Sequence, residues 1–169
     1  MKKTAIALLL IFNSIVAAAQ TDWVDFKIDN KLSIKFPSKP TQEIDGTLIS
    51  VTKDSTAFMS AIILDLAQIA HVDSATLAQS KENPEFVAGL RNFLNSKNQV
   101  VKLDEFKLGK WHGFTSYSSS GVAADIRNKY YSVYMLFIGT KLYWFNVILS
   151  ATADSKNKDY YFSSVSFTK

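Results

Sequence analysis

Apolar and polar residues alternate with a period of two in the segment that follows residue 22, as is typical of β-strands. Trp23, Phe26 and Ile28 form one such run, and Leu32-Ser33-Ile34-Lys35-Phe36 forms the next. Two short strands joined by a turn at Asp29-Asn30-Lys31 explain this pattern, with the apolar side chains pointing inward. The chain is therefore expected to enter its fold through a hairpin.

A second pair of strands is predicted at residues 47–52 and 57–66, with a polar turn between them. Pro37 and Pro40 separate the two pairs, because a proline cannot donate a hydrogen bond to a strand ladder. Residues 57–64 are apolar on both faces, which predicts an inner strand that is covered on both sides.

The middle of the chain changes to a helical period. Asn83-Pro84 is a cap followed by a proline at the first helical position, and the polar residues 95–98 end the segment. One face of this helix carries Phe86, Leu90, Phe93 and Leu94. A shorter helical segment is predicted at residues 73–80, where Thr76 and Gln79 have the spacing of a capping box.

Strands return after Gln99. Residues 100–108 and 111–118 are predicted strands with Gly109-Lys110 as their turn, and residues 118–121 have the composition of a flexible connection. Residues 129–138 and 142–149 are predicted to be the two central strands of the sheet, because both are apolar on both faces.

The turn of this central hairpin and the end of the chain complete the layout. Gly139-Thr140 places glycine first, as a type II′ turn requires. Residues 152–159 are predicted to open a last helix that carries residues 160–162, and residues 165–167 to return as a short strand. The fold class predicted from these elements is α+β, a mainly antiparallel β-sheet of about six to eight strands with helices packed on it.

The first twenty residues have the layout of a secretory signal peptide. Met1-Lys2-Lys3 is a positive start, residues 5–16 are mostly apolar, and Ala17-Ala18-Ala19 supplies small residues before Gln20. Residues 1–19 are predicted to be cleaved and residues 20–169 to form one domain; an uncleaved interfacial anchor is the alternative. The protein is therefore expected to be exported to the periplasm or beyond the cell, with no transmembrane span.

Composition and charge narrow the possible functions. The chain has no cysteine, which excludes disulfides, thiolate zinc sites and cysteine nucleophiles. Without residues 1–19, which hold two lysines and no acidic residue, the net charge falls from +4 to +2. The lysines between residues 27 and 39 are spread rather than clustered, so a nucleic-acid partner is not expected.

A search for catalytic groups leaves two histidines, His71 and His112. His71 has Asp65 and Asp73 nearby in sequence, and His112 lies beside large aromatic residues. No G-x-S-x-G elbow or phosphate-binding glycine loop is present. We therefore predict no catalytic, metal-binding or cofactor-binding residue, and keep a small periplasmic hydrolase that uses one of these histidines with a nearby Asp or Ser as the alternative.

Aromatic residues concentrate in the second half of the chain. Only one helix of adequate length is predicted, so part of an aromatic sheet face is expected to stay open to a protein or an apolar ligand. The candidate surface consists of Trp111, His112, Phe114, Tyr117, Tyr130, Tyr134 and Tyr143. These residues favour a non-enzymatic binding or accessory protein, monomeric or weakly oligomeric, with no cofactor.

Two short segments carry a resemblance to a known group. Phe36-Pro37-Ser38-Lys39-Pro40 follows the opening hairpin, and Phe162-Ser163-Ser164-Val165-Ser166-Phe167 closes the chain. With the order of elements, they resemble the Mog1/PsbP-like group of small α/β/α domains and secreted bacterial proteins of that shape. The resemblance implies an antiparallel sheet with helices on its faces and an accessory or binding role, and it supplies no catalytic motif. The photosystem and nuclear-transport roles of that group have no support in these residues.

Overall fold

The elements of the fold are taken from a computed structural model, which describes residues 23–97, 101–123 and 129–168. The predicted signal peptide, residues 1–19, lies outside the described residues. Within those residues the strands are β1 Val24–Lys27, β2 Leu32–Phe36, β3 Thr41–Gln42, β4 Leu48–Val51, β5 Ala57–Asp65, β6 Val101–Leu103, β7 Lys107–Trp111, β8 Phe114–Ala123, β9 Lys129–Ile138, β10 Lys141–Ser150 and β11 Ser166–Phe167. The helices there are α1 Leu66–Ala70, α2 Ser74–Ser80, α3 Pro84–Lys97 and α4 Lys156–Ser163.

An antiparallel sheet of eight strands forms the centre of the described structure. Its order is β3-β4-β5-β10-β9-β8-β6, and β7 also pairs with β8. The predicted central hairpin is confirmed, because β9 and β10 lie in the middle and Ile138 pairs with Lys141 across a two-residue turn. Gly139 has a φ of +62° in that turn, as a type II′ turn requires of its first central residue.

The prediction for residues 100–121 is wrong in three places. Residues 100–108 do not form one strand, since β6 and β7 are separate segments that both pair with β8. Gly109-Lys110 lies inside β7, and the turn falls at His112-Gly113, where both residues have positive φ (+48° and +84°). Residues 118–121 belong to β8 rather than to a flexible connection, because their small side chains fit the crowded sheet and the Ser119 hydroxyl donates to the Asp104 carbonyl at 2.9 Å.

One face of the main sheet is covered by a small sheet and by α4. The small sheet has the order β1-β2-β11, so it joins the beginning and the end of the described chain. Leu32, Ile34 and Phe36 of β2 are fully buried against the main sheet. Tyr161 of α4 is also fully buried and donates its hydroxyl to the Ser60 carbonyl at 2.9 Å, and its burial raises its pKa well above 10.

The other face carries α1, α2 and α3. Leu77 of α2 is buried there, and Phe86 and Leu90 of α3 pack against the same core. The start of α3 is as predicted, since the Asn83 side chain accepts from the Glu85 amide at 2.9 Å. The capping box predicted inside α2 is wrong: Asp73 caps this helix by accepting from the Ala75 and Thr76 amides at 2.8 Å, since a carboxylate at the N-cap reaches these free donors directly.

Asp29 ties the small sheet to the main sheet. Its carboxylate accepts from the amides of Lys31 and Leu32 in the β1–β2 turn, at 2.8 and 3.0 Å. It also accepts from the Tyr143 hydroxyl at 2.8 Å and from the Lys141 ammonium at 3.0 Å, both on β10. Burial alone would raise the pKa of Asp29, but these four donors outweigh it and hold the pKa below the ordinary value of 3.8.

Asp29→Asn is expected to destabilise the protein by about 1–3 kcal/mol, because an amide nitrogen would then face the donors on Tyr143 and Lys141. The contribution of Asp29 is fully present above its unfolded-state pKa of about 3.8 and is lost as the pH falls through its lower folded-state pKa. Urea unfolding between pH 7 and pH 2 measures this difference. The exposed Asp25, changed to Asn, is the matched control; an equal loss for both variants would contradict the tether.

Gly121 and Gly89 provide a matched pair of glycine-to-alanine changes. A Cβ at Gly121 would lie 2.2 Å from the Lys102 carbonyl oxygen, whereas one at Gly89 in α3 would meet nothing within 4 Å. Gly121→Ala should therefore cost about 1–3 kcal/mol by forcing β6 away from β8. Gly89→Ala should stabilise the helix by about 0.5–1 kcal/mol. Thermal unfolding of the two variants measures both signs, and a neutral Gly121→Ala would refute the close approach of β6.

Candidate functional site

Two of the seven predicted surface residues are buried, so that part of the prediction is wrong. Tyr117 is 1% exposed in the core under the helices, and Tyr143 is 0% exposed in the core under the small sheet. Their hydroxyls are bonded internally, to the Lys81 carbonyl at 2.5 Å and to Asp29 at 2.8 Å. Burial raises the pKa of both tyrosines. Each is a core residue with a satisfied polar tip.

Trp111, His112 and Phe114 come together at the tip of the β7–β8 hairpin, where they surround Phe167 of β11. The Phe167 ring centroid lies 4.9 Å from that of Trp111, 5.5 Å from that of His112 and 6.3 Å from that of Phe114. The interplanar angles are 52–68°, so the rings form no flat platform. This cluster holds the last strand in place, while Phe167 itself stays 48% exposed.

The remaining two predicted residues lie apart from this cluster. Tyr130 is 56% exposed and pairs with Val122 near the far end of β8. Tyr134 is half-buried and stacks on Phe145, with Phe162 of α4 nearby. The structure therefore does not bring the seven residues together into one surface.

Neither histidine has the neighbours that a hydrolase site requires. His71 is exposed at the end of α1, and the carboxylates near it in sequence are occupied: Asp65 accepts from the Ala67 amide, and Asp73 caps α2. His112 is also exposed and contacts Trp111 edge-on. Within the described residues, neither histidine is hydrogen-bonded to a carboxylate or hydroxyl. No group of three or more metal-ligating side chains occurs in that part of the chain.

The main sheet has one apolar region that the helices cover only in part. Strand register places six side chains on the helix-bearing face of β4, β5 and β10, here called the open sheet face: Ile49, Val51, Phe58, Ile62, Trp144 and Ile148. Val51 is 40% exposed and the other five are half-buried. The alternate residues of the same strands, such as Met59 and Val147, are 0% exposed on the opposite face. One face of these strands is thus almost fully buried, with Ile63 as a half-buried exception, and the other is partly open.

The open sheet face offers apolar contact rather than charge. Ile49, Val51, Phe58 and Ile62 belong to neither of the two buried cores within the described residues. Asn146 accepts from the Tyr131 hydroxyl at 2.5 Å and donates to Ser60 at 3.1 Å, whereas the buried indole N–H of Trp144 has no hydrogen-bond partner within the described residues. Such a surface binds a partner by burying apolar area.

None of the six members of this face is among the seven surface residues predicted from the sequence. That prediction selected aromatic residues by type, and four of the six members are aliphatic. The apolar pattern of residues 57–64 predicted a strand covered on both sides, and this is wrong for the face that carries Phe58 and Ile62, which is covered only in part. The pattern does not say which of the two faces a neighbouring element covers.

Comparison with known proteins shows the fold alone. No protein-family model matches the chain, and no curated protein matches it. The solution structure of cyanobacterial PsbP (CyanoP) from Synechocystis sp. PCC 6803 superposes with a TM-score of 0.63 at 12% identity, over 87% of this chain and 93% of that one. The chain therefore has a PsbP-like α+β fold, and the resemblance stated from the sequence is confirmed at that level.

Two further solved structures show weaker similarity. A protein from Bacteroides thetaiotaomicron VPI-5482 gives a TM-score of 0.47 at 10% identity, over 82% of this chain and 45% of that one. LpqN, involved in cell envelope biogenesis of Mycobacterium tuberculosis, gives 0.36 at 11% identity, over 88% and 80%. Neither likeness is close enough to bear on function.

Proposed function

We propose that this chain is an exported, non-enzymatic binding or accessory protein that holds an apolar partner, a protein or an apolar ligand, against the open sheet face. One observation carries the proposal: six apolar side chains on three neighbouring strands remain partly exposed, while nearly all side chains on the opposite face of the same strands are buried. A contiguous apolar surface of this kind is typical of an interaction site in a folded protein.

The chemistry of this face supports an apolar partner. Each Å² of apolar surface removed from water contributes about 25 cal/mol, so the binding free energy would come from area rather than from a single contact. Phe58 and Trp144 add two rings, which are enriched at the centres of protein interfaces. The face has no acidic or basic member, so salt should have little effect on binding.

Export is supported by the N-terminal sequence. Residues 1–19 have the three parts of a signal peptide, and in the part of the chain that the structure describes no helix is long and apolar enough to cross a membrane. The arrangement of the histidines gives the hydrolase alternative no support, and a binding role does not depend on it.

The mature protein is expected to begin at Gln20. Intact-mass measurement of the protein recovered from the envelope or medium of the producing cell tests this, since cleavage after Ala19 removes residues 1–19. A protein that retains its first nineteen residues would refute the predicted cleavage and favour the interfacial anchor.

The open sheet face is tested with the neutral dye Nile red, whose fluorescence rises when it binds apolar surface. Phe58→Lys combined with Ile62→Lys should remove most of that increase, because two charges then occupy the middle of the face. Val122→Lys is the matched control, since Val122 is 58% exposed and lies on β8, away from this face. An equal loss of fluorescence in both variants would contradict the proposed site.

The same variants test whether the face is open. Substitutions at an open site are expected to change the free energy of unfolding by less than about 1 kcal/mol each, whereas a lysine placed in a covered core costs several times more. Urea unfolding of the double variant distinguishes these cases. A loss above about 4 kcal/mol would show that other residues cover Phe58 and Ile62.

A further inference from the structure

A second recognition site lies at the opposite edge of the helix-bearing face, in a groove between α3 and the β6–β7 edge of the main sheet. The groove has a volume of about 330 Å³, at the small end of the range for ligand pockets. Its walls are fixed: the Asn95 side chain of α3 accepts from the Leu103 amide at 2.9 Å and donates to the Leu103 carbonyl at 3.4 Å. The helix and the edge strand therefore form a preformed cleft.

The floor of the groove is apolar. Phe106 and Tyr117 pack edge to face with ring centroids 6.2 Å apart, and the Tyr117 hydroxyl is anchored on the Lys81 carbonyl. Val87 of α3 lines one side, and Leu108 of β7, which is 53% exposed, lines the other. An aliphatic chain laid in this groove would replace water on Phe106, Val87 and Leu108.

One end of the groove carries an acidic group that is already paired. The Glu82 carboxylate accepts from the Lys110 ammonium and from the Thr115 hydroxyl, the latter at 2.6 Å. These two donors lower the pKa of Glu82 and keep it ionised at neutral pH. The charge of Glu82 is therefore balanced by Lys110, and this end of the groove has no net charge that would favour either a further cation or an anion.

The other end of the groove carries Arg91, whose charge is only weakly paired with other residues. Arg91 is 31% exposed, and its guanidinium lies 3.9 Å from the Glu105 carboxylate, which is beyond hydrogen-bond distance. Glu105 is itself 92% exposed, so this contact is weak. Within the described residues Arg91 has no other polar partner. A guanidinium in this state presents a planar fork of N–H donors that matches a carboxylate.

We propose that this groove binds a small monocarboxylic acid with an apolar chain, with its carboxylate on Arg91 and its chain on Phe106, Val87 and Leu108. The charge at the Glu82 end is paired with Lys110, whereas Arg91 at the other end is only weakly paired, and this difference sets the orientation of the ligand. Arg91 follows Pro84 by seven helical residues, about 10 Å along the axis, and Glu82 precedes Pro84. A ligand with an anionic group at both ends would place its second charge near Glu82.

Octanoate is the probe that tests the proposal, with octan-1-ol and octanedioate as comparisons of equal chain length. Octanoate should shift the amide NMR signals of Val87, Ala88 and Leu108, and octan-1-ol and octanedioate should each bind about tenfold more weakly. Arg91→Gln should weaken octanoate about tenfold and leave octan-1-ol unchanged. Glu105→Gln should bind octanoate as well as the unchanged protein or better, because a competing carboxylate is removed.

Lys107→Gln is the matched control, because Lys107 is an exposed cation on β7 that does not line the groove. Equal affinity for octanoate and octan-1-ol, or an Arg91→Gln variant that binds octanoate normally, would overturn the proposal. So would an equal loss in Lys107→Gln, or shifts confined to the open sheet face. The comparison of the three ligands on the unchanged protein decides the question even if the Arg91 variant folds poorly.

Discussion

A sheet whose central strands are apolar on both faces must be covered on both faces, and the rest of this structure follows from that requirement. In β9 every side chain from Tyr131 to Ile138 except Tyr134 is buried, whichever way it points. The small sheet and α4 cover one face over β4, β5 and β10, while Tyr130 and Val122 at the far end of β8 and β9 stay more than half exposed on that face. The three other helices cover the second face over β8 and β9, where Val133, Met135 and Phe137 are at most 1% exposed. Over β4 and β5 the cover is incomplete, and apolar side chains remain in partial contact with water.

The small sheet and the helices are attached to the main sheet by different interactions. The small sheet depends on polar bonds as well as on packing, since Asp29 joins its first turn to Lys141 and Tyr143 of the main sheet. Its third strand comes from the end of the chain, and the Ser166–Ser33 pair is separated by more than a hundred residues. Contacts of such sequence separation form late and slowly. The face covered by the small sheet is thus a product of the complete chain, whereas the helices are assembled from neighbouring segments.

The parts of the fold that the sequence predicts are those in which local signals agree. The β9–β10 hairpin was predictable because both strands are apolar and Gly139 fits the only demanding turn position. The β7–β8 hairpin was not, because Gly109 suggests a turn, while the actual turn uses His112 at φ +48°, a conformation that is uncommon outside glycine. The serines of β8 have loop composition, and only their neighbours on β9 make them strand residues.

The candidate site was less predictable for a related reason. Alternation identifies two faces of a strand but does not reveal which face a distant element will cover. Tyr143 was a reasonable surface candidate by residue type, yet Asp29, 114 positions away, binds its hydroxyl in the core. Conversely, Ile62 looked like an ordinary core residue and lies on the partly open side. Exposure is decided by pairings that are remote in sequence.

Both proposed recognition surfaces follow from where α3 lies on the sheet. Asn95 fixes this helix to Leu103 at the β6 edge, so its core side chains, Phe86 and Leu90, cover the β8–β9 half. Because the helix is drawn to that edge, the β4–β5 half stays partly uncovered, and a groove remains between the helix and β7. The first surface is apolar without charge, and the second combines an apolar floor with Arg91. The position of α3 thus accounts for two proposed sites of different chemistry. The fold alone does not determine either function, because the same fold can carry unrelated sites.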